Sequence, residues 1–189
     1  MSFEIKVDEE LSLRLVEPRY AEEVYEAVNA NREHIGRWLG WLTDSYSLES
    51  SSVRAAQCLK DFADRKQLAV TLIVDGQVVG ASGWTCWNQE TLHDGRLETS
   101  SADIGYWLIE SAQGKGLVTR AVRALTTLAI ETYDIRRVTI HAEPENEKSW
   151  KVAERLGYTY EGTLRDVFRC DGRVVNHKLY SMLAEEWKP

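Results

Sequence analysis

Ile104-Gly105-Tyr106-Trp107-Leu108-Ile109 runs through Glu110-Ser111-Ala112 into Gln113-Gly114-Lys115-Gly116-Leu117-Val118-Thr119. Ala102 to Ile109 reads as a strong strand. From Gly114 to about Tyr133 the pattern is helical, with Leu117, Ala121, Leu125, Leu128 and Ala129 on one face. A strand therefore feeds a helix through a glycine turn. Glycines let backbone approach a ligand closely. The unpaired N–H groups of a first helical turn hold phosphate, helped by the helix dipole. Lys115 adds a cation, so the junction suits a pyrophosphate. A turn that merely connects two elements would also suit these residues. No Gly-Lys-Ser/Thr follows four spacers, and the three-glycine dinucleotide fingerprint is absent.

Outward from this junction, Leu11 to Val16 alternates as a strand ended by Pro18, and Ala21, Val24, Tyr25 and Val28 recur at helical spacing. A Trp-rich bend follows over Arg37-Trp38-Leu39-Gly40-Trp41-Leu42. Leu48 to about Lys66 reads as a helix with Ser47 as N-cap. Leu68–Val74 and Val78–Trp84 form a hairpin around Asp75-Gly76. The polar stretch Asn88–Ser101 reads as a loop or hairpin tip. Beyond the long helix come a strand Arg137–Ala142, a short helix Asn146–Leu156, and strands Tyr158–Arg169 and Val174–Leu183 joined at Asp171-Gly172. The order predicts an α/β layer fold with a mixed sheet rather than a Rossmann repeat.

The 189 residues fit one domain. Hydrophobic residues at 43% and charged residues at 28% exclude disordered, collagen-like and coiled-coil chains. A net charge of −7 argues against a non-specific nucleic-acid binder. No apolar run is long enough to span a bilayer, and Met1-Ser2-Phe3-Glu4-Ile5-Lys6 lacks a signal-peptide core. Cys58, Cys86 and Cys170 are odd in number and widely spaced, with no metal-type pair. A cytoplasmic protein with reduced thiols, no metal and no membrane partner is expected. Asp8-Glu9-Glu10 reads as a solvated edge.

Gln113-x-x-Gly116-x-Val118 after a strand resembles the acetyl-CoA pyrophosphate loop, Gln/Arg-x-x-Gly-x-Gly/Ala, of the GNAT superfamily of N-acetyltransferases. Val118 departs from the usual small residue and should crowd the loop slightly. Asn146-Glu147-Lys148-Ser149, followed by Gly157-Tyr158, is similar to the family's later helix motif. Ile104–Leu108, Val175–Leu183 and Arg37-Trp38-Leu39-Gly40-Trp41 resemble one branch, the ribosomal-protein N-terminal serine and alanine acetyltransferases, with Gly40 where that branch carries Pro. The resemblance covers essentially the whole chain. It implies one domain over residues 1–189, a mixed, mostly antiparallel central sheet flanked by helices, acetyl-CoA as cosubstrate and a homodimer. It also implies that Gln113, Gly114, Lys115, Gly116, Leu117, Val118 and Thr119 hold the pyrophosphate. The backbone of Trp107, Leu108 and Ile109 would pair with the pantetheine arm like an added strand. Asn146 would bond the same arm.

Direct transfer to an amine requires the neutral amine. An α-amine of pKa near 7.7–8.0 is roughly 10–20% neutral at pH 7, and a lysine about 0.04%, so deprotonation costs about 1 and about 4–5 kcal/mol respectively. A weak base therefore serves an α-amine. Asp103, one strand position from the cofactor strand, and Glu98, in the preceding loop, are the candidate carboxylates. His141 on the next strand is a third candidate, and each has an ordinary structural reading. Phe168 falls where this branch would place a later carboxylate. The leaving thiolate wants a proton. Ala153 stands where many relatives carry a Tyr, and the resemblance makes Ser149 its substitute. Trp38, Trp41, Trp84 and Trp87 are candidates for an aromatic wall of the acceptor groove, or for core. The acceptor is a protein N-terminus or a small-molecule amine. A non-catalytic acyl-CoA binding module is the rival that Ala153 keeps open, and a nucleotide-binding module on the glycine turn is another.

Overall fold

The computed structural model describes residues 3–91, 97–170 and 172–189; the side chains of 88–91, 97–99 and 168–170 lie outside the description. Strands β1 (Glu4–Lys6) and β2 (Leu11–Leu15) come first. A 3-10 turn over Pro18–Tyr20 then leads into helices α1 (Ala21–Asn29), α2 (Arg32–Gly36) and α3 (Leu48–Ala63). Strands β3 (Leu68–Val74), β4 (Gln77–Thr91) and β5 (Leu97–Leu108) form a meander. Helix α4 (Leu117–Tyr133), β6 (Arg137–Ala142), α5 (Glu147–Arg155), β7 (Thr159–Cys170) and β8 (Arg173–Leu183) complete the order. They build one eight-stranded sheet, β1-β2-β3-β4-β5-β6-β8-β7. The β5–β6 neighbours run parallel and every other pair is antiparallel. The mixed, mostly antiparallel sheet flanked by helices is the expected fold class.

Local chemistry explains most boundaries. In β2, Leu11, Leu13 and Leu15 are buried while Ser12 and Arg14 are not, the period of a strand with one covered face. Ser47 caps α3 through a reciprocal pair: its Oγ accepts from Ser50 N–H at 3.2 Å, and Ser50 Oγ accepts from Ser47 N–H at 2.9 Å. Such a cap contributes about 1 kcal/mol. Asp75 and Gly76 both take positive φ, 50° and 74°, as a two-residue hairpin turn requires.

Four expectations are corrected. β1 and α2 are additional elements, each too short for a periodic signal to build up. Asn88–Ser101 is not a loop throughout. β4 extends to Thr91, β5 begins at Leu97, and Asn88 pairs with Ser101. Ladder bonds are made by backbone, so polar side chains do not end them. Only 92–96, outside the described residues, separate the strands, and Asp171 of the last expected turn also lies outside. Finally, Asp8 and Glu10 are not merely solvated. They receive the guanidinium of Arg120 on α4 at 2.5 and 2.7 Å.

The main core fills the space between the sheet and helices α4 and α5. A second, smaller cluster, Val28, Ile35 and Leu42, packs on Trp107 from the α1–α2 side. Thus β5 sends Ile104 into the main core and Trp107 toward α1 and α2.

Candidate active site

β5 and β6 are joined by only three register pairs, Ser101↔Arg137, Ala102↔Val138 and Asp103↔Thr139. Beyond Asp103 the two strands part. The edge of β5 over residues 104–108 that faces β6 has no strand partner there, nor has the edge of β6 over residues 140–142 that faces β5. The gap is a V, closed at Asp103–Thr139 and open toward the glycine turn. An extended chain can pair with such an edge.

The turn at the open end carries Gly114 and Gly116 in the left-handed region, at φ 79° and 71°. A Cβ at either position would meet nothing within 4 Å, so the backbone angle rather than lack of room calls for glycine. Gly116 is the N-cap of α4, and no side chain caps that end. The first hydrogen bond back to the cap runs from Arg120 N–H to Gly116 C=O. That leaves the amides of Leu117, Val118 and Thr119 without helical acceptors, at the positive end of a 17-residue helix. This is the donor set a pyrophosphate requires, so the expected loop residues fit the cosubstrate. Val118 is half-buried and packs on the main core rather than standing over the loop. Gln113 spans the turn: its Nε2 lies 2.7 Å from His34 Nε2 on α2, and its Oε1 accepts from Lys148 Nζ on α5 at 2.8 Å.

On the α4–α5 face, Asn146 caps α5, its Oδ1 accepting from Ser149 N–H at 3.3 Å. The side-chain amide N–H groups of Asn146 are not part of that cap. Ser149 uses its backbone for the cap and keeps its hydroxyl for another partner. That hydroxyl donates to the Tyr106 oxygen at 3.2 Å, while the Tyr106 hydroxyl donates to Ser149 C=O at 2.9 Å. Burial pushes the Tyr106 phenol up to about 12, against the opposing Ser149 hydrogen bond.

On the other face lies Asp103. Thr139 Oγ1 donates to its Oδ1, and His141 Nε2 stands 3.7 Å from the same oxygen. Cys86, its cross-strand neighbour on β4, also hydrogen-bonds to it. Burial works to raise this carboxyl, but the His141 and Thr139 hydrogen bonds outweigh it and hold Asp103 below the usual carboxylate range. Burial and the nearby Asp103 charge push the Cys86 thiol up. Asp103 and Ser149 thus sit on opposite faces of the sheet, beside the same opening.

Glu98 belongs to β5 by backbone, but its side chain lies outside the described residues. Trp84 and Trp87 do not line a groove. Their exposures are 0% and 5%, and their rings stack edge-on with each other and with Tyr133, at centroid distances of 4.8–5.2 Å. A register shift between Trp84 and Cys86 turns both tryptophans to the core face. Trp38 and Trp41 follow α2; Trp38 is half-buried and Trp41 is 48% exposed, its ring 5.7 Å from Tyr46.

Four further residues belong to this region. Tyr106, Thr139, His34 and His177 gain their positions from cross-strand or cross-helix contacts. Tyr106 alone had a usable signal, since it occupies the position on β5 that alternates with Ile104 toward α5. Among the described residues no cluster of three or more His, Cys, Asp or Glu is arranged to hold a metal ion. No described helix is long and apolar enough to cross a membrane.

Known proteins resemble this chain in sequence and in fold. YdaF of Bacillus subtilis (strain 168) is 33% identical over 98% of both chains. The ribosomal-protein-serine acetyltransferase of Escherichia coli (strain K12) is 27% identical over 98% of this chain and 99% of its own. The crystal structure of the microcin C7 self-immunity acetyltransferase MccE, in complex with acetyl-CoA and AMP, superposes with a TM-score of 0.85 at 28% identity over 95% of each chain. RimL, the ribosomal L7/L12 α-N-protein acetyltransferase, shares the fold at a TM-score of 0.86 and 23% identity over 96% of this chain and 98% of its own. The family model for the acetyltransferase (GNAT) domain matches residues 10–159. With a V-shaped sheet opening, a glycine turn at its mouth and this match over most of its length, the chain belongs to the GNAT family of acetyltransferases.

Proposed function

We propose that this chain, acting as one catalytic unit over residues 1–189, transfers the acetyl group of acetyl-CoA directly to the α-amine of a protein N-terminus. The observation that carries the reading is the opening between β5 and β6, with a hydroxyl on one face and a carboxylate on the other. The pyrophosphate takes the turn over Gln113–Thr119. The pantetheine arm runs along the free edge of Trp107, Leu108 and Ile109, with Asn146 N–H groups available to it. The thioester then points to the closed end of the V. An acceptor approaching from the Asp103 face attacks while the thiol leaves toward Ser149.

Little assistance is needed on the leaving side. A thiolate with pKa about 8.5 is a fair leaving group by itself. For Ser149 to donate to sulfur, its hydroxyl turns away from Tyr106 and gives up one neutral hydrogen bond, about 0.5–1.5 kcal/mol. Asp103, held anionic, attracts a cationic amine to the other face. The names of full-length relatives, including the Escherichia coli ribosomal-protein-serine acetyltransferase, support an N-terminal acceptor. Burial of Trp84 and Trp87 removes half of the expected aromatic wall of the acceptor groove. Trp38 and Trp41 remain available beside α2 to contact the acceptor chain.

Acetyl-labelled acetyl-CoA, incubated with the protein and a lysate of cells lacking it, tests the reading. Label in a protein band, removed by trimming the N-terminus, is expected. Label confined to the small-molecule fraction overturns it. The same reading places the enzyme in the cytoplasm, where Cys58 and Cys86 stay free thiols, and pairs it as a homodimer. A sedimentation mass of one chain removes the dimer.

A further inference from the structure

Gln113 and Lys148 stand at the open end of the V, on opposite sides of it. Gln113 follows β5 through the short 3-10 turn Glu110–Ala112, and Lys148 follows β6 on the first turn of α5. β5 and β6 run parallel, so both residues lie beyond the same ends of the two strands. Lys148 Nζ donates to Gln113 Oε1 at 2.8 Å. That bond therefore crosses from one side of the opening to the other, beside the glycine turn.

Gln113 is held from behind. Its Nε2 lies 2.7 Å from His34 Nε2, and the α1–α2 junction grips the same segment again where Asn31 Oδ1 accepts from Glu110 N–H at 3.2 Å. The amide has one workable orientation, its oxygen toward the ammonium and its N–H groups toward the ring nitrogen, which accepts. Turned over, it would set two donors against each other at Lys148. Gln113 is thus a fixed post. Lys148, exposed and on a flexible four-carbon stem, is the movable end.

Charge separates Lys148 from the other cations near the turn and α5. Arg120 is neutralised by Asp8 and Glu10, and Lys151 by Glu147. Lys178 lies on the Trp150 ring, 3.7 Å from its centroid. Arg155 and Lys148 bond neutral oxygens, Thr119 Oγ1 at 3.3 Å and Gln113 Oε1. Arg155 sits on the last turn of α5, away from the strand ends where Lys148 stands. An ammonium on a neutral amide oxygen gains a stronger acceptor when a phosphate oxygen comes within reach, because both partners of the new bond are ionised.

We propose that Lys148 leaves Gln113 for a phosphate group of the cosubstrate, so that the bond across the opening parts on binding and the ammonium joins the binding site. The proposal rests on the placement of the pyrophosphate and pantetheine given above, and not on which amine is acetylated. The pyrophosphate and the ribose 3′-phosphate of coenzyme A offer Lys148 the same chemistry.

Calorimetric titration with acetyl-CoA tests it on wild type, Lys148→Met, Gln113→Ala and the double variant. Lys148→Met removes the charge at an exposed site and keeps an apolar stem, so the fold holds. Its affinity should fall about tenfold, the size of one hydrogen bond to a charged group, and the loss should shrink in high salt. Lys151→Met, on the same helix, should stay within about twofold of wild type. The Gln113→Ala background separates contact with phosphate from mere support of Gln113. There a lysine that reaches phosphate still costs about tenfold when removed, since its competing partner has gone. A lysine that only steadies Gln113 costs nothing there, and that outcome overturns the proposal. Undiminished affinity of Lys148→Met in the wild-type background overturns it too. With 3′-dephospho-acetyl-CoA, a persisting loss on Lys148→Met assigns the contact to the pyrophosphate, and a vanished loss assigns it to the 3′-phosphate; both support it. If wild type binds no acetyl-CoA, the cosubstrate placement falls and this proposal with it. If wild type binds and Lys148→Met binds equally well, this proposal falls alone.

Discussion

The two faces of the sheet are built on different principles. Toward α4 and α5 lies a continuous apolar core, in which Trp84, Leu117, Leu125 and Ile140 are at most 1% exposed. Toward α1 and α2 the apolar cluster is small, and much of the face around β5, β6 and β8 is polar and hydrogen-bonded across strands. Stability resides mainly in the first face, and on the proposed reading the amine is received at the second. Ser149 is a polar group on the packed side, where it touches Tyr106 at the border of the gap. On the proposed reading, the difference gives the thioester one rigid wall to rest on and the amine one polar wall to approach.

The division can be broken most forcefully from the packed side. Trp84→Ala removes a fully buried ring that contacts Trp87 and Tyr133, and should cost about 3–5 kcal/mol in denaturant unfolding. A loss below 1 kcal/mol would mean the apolar face is not the stabilising one. Ser149→Ala tests the polar group on that side. We expect kcat to fall about tenfold to a hundredfold, with KM for acetyl-CoA and the unfolding midpoint little changed. An unchanged kcat would mean that Ser149 only caps and packs α5.

The smallest effect belongs to the polar face. Glu161 accepts both Arg137 guanidinium nitrogens, at 2.7 and 2.5 Å, and Ser181 Oγ. The Arg137 and Ser181 hydrogen bonds hold its carboxyl down to about 2. A carboxyl lowered in the folded state stabilises above its unfolded pKa of about 4.5, and that stability is lost as pH falls toward 2. The pair is substantially solvent-exposed, so its worth at pH 7 is under about 1 kcal/mol. Glu161→Gln should flatten the acid side of the stability curve between those values; an unchanged curve would show that the pair contributes nothing.

The packed face was largely legible in the sequence. Arg137–Ala142 appears as a strand with the expected bounds, and the apolar face of α4 follows its 3.6-residue period. Ser47 and Asn146 cap α3 and α5, as their side chains favour. The polar face was legible only as isolated letters. Asp103, His141 and His177 lie 36 to 74 residues apart, and only strand order brings them together. The register shift after Trp84 hid the direction of two tryptophans, because strict alternation would send Trp84 and Trp87 to opposite faces. Arg120 gave no hint of Asp8 and Glu10, more than a hundred residues earlier. Periodicity reads burial within an element; it cannot read a pairing set by tertiary approach.

The three rungs between β5 and β6 carry one more implication. They are a short seam between two leaves, β1–β5 on one side and β6–β8–β7 on the other. On the proposed reading, the cosubstrate fills the rest of that seam like a missing stave in a cask. The reagent consumed at each turnover is then also a piece of the architecture, and every catalytic cycle ends by taking a strand out of the sheet.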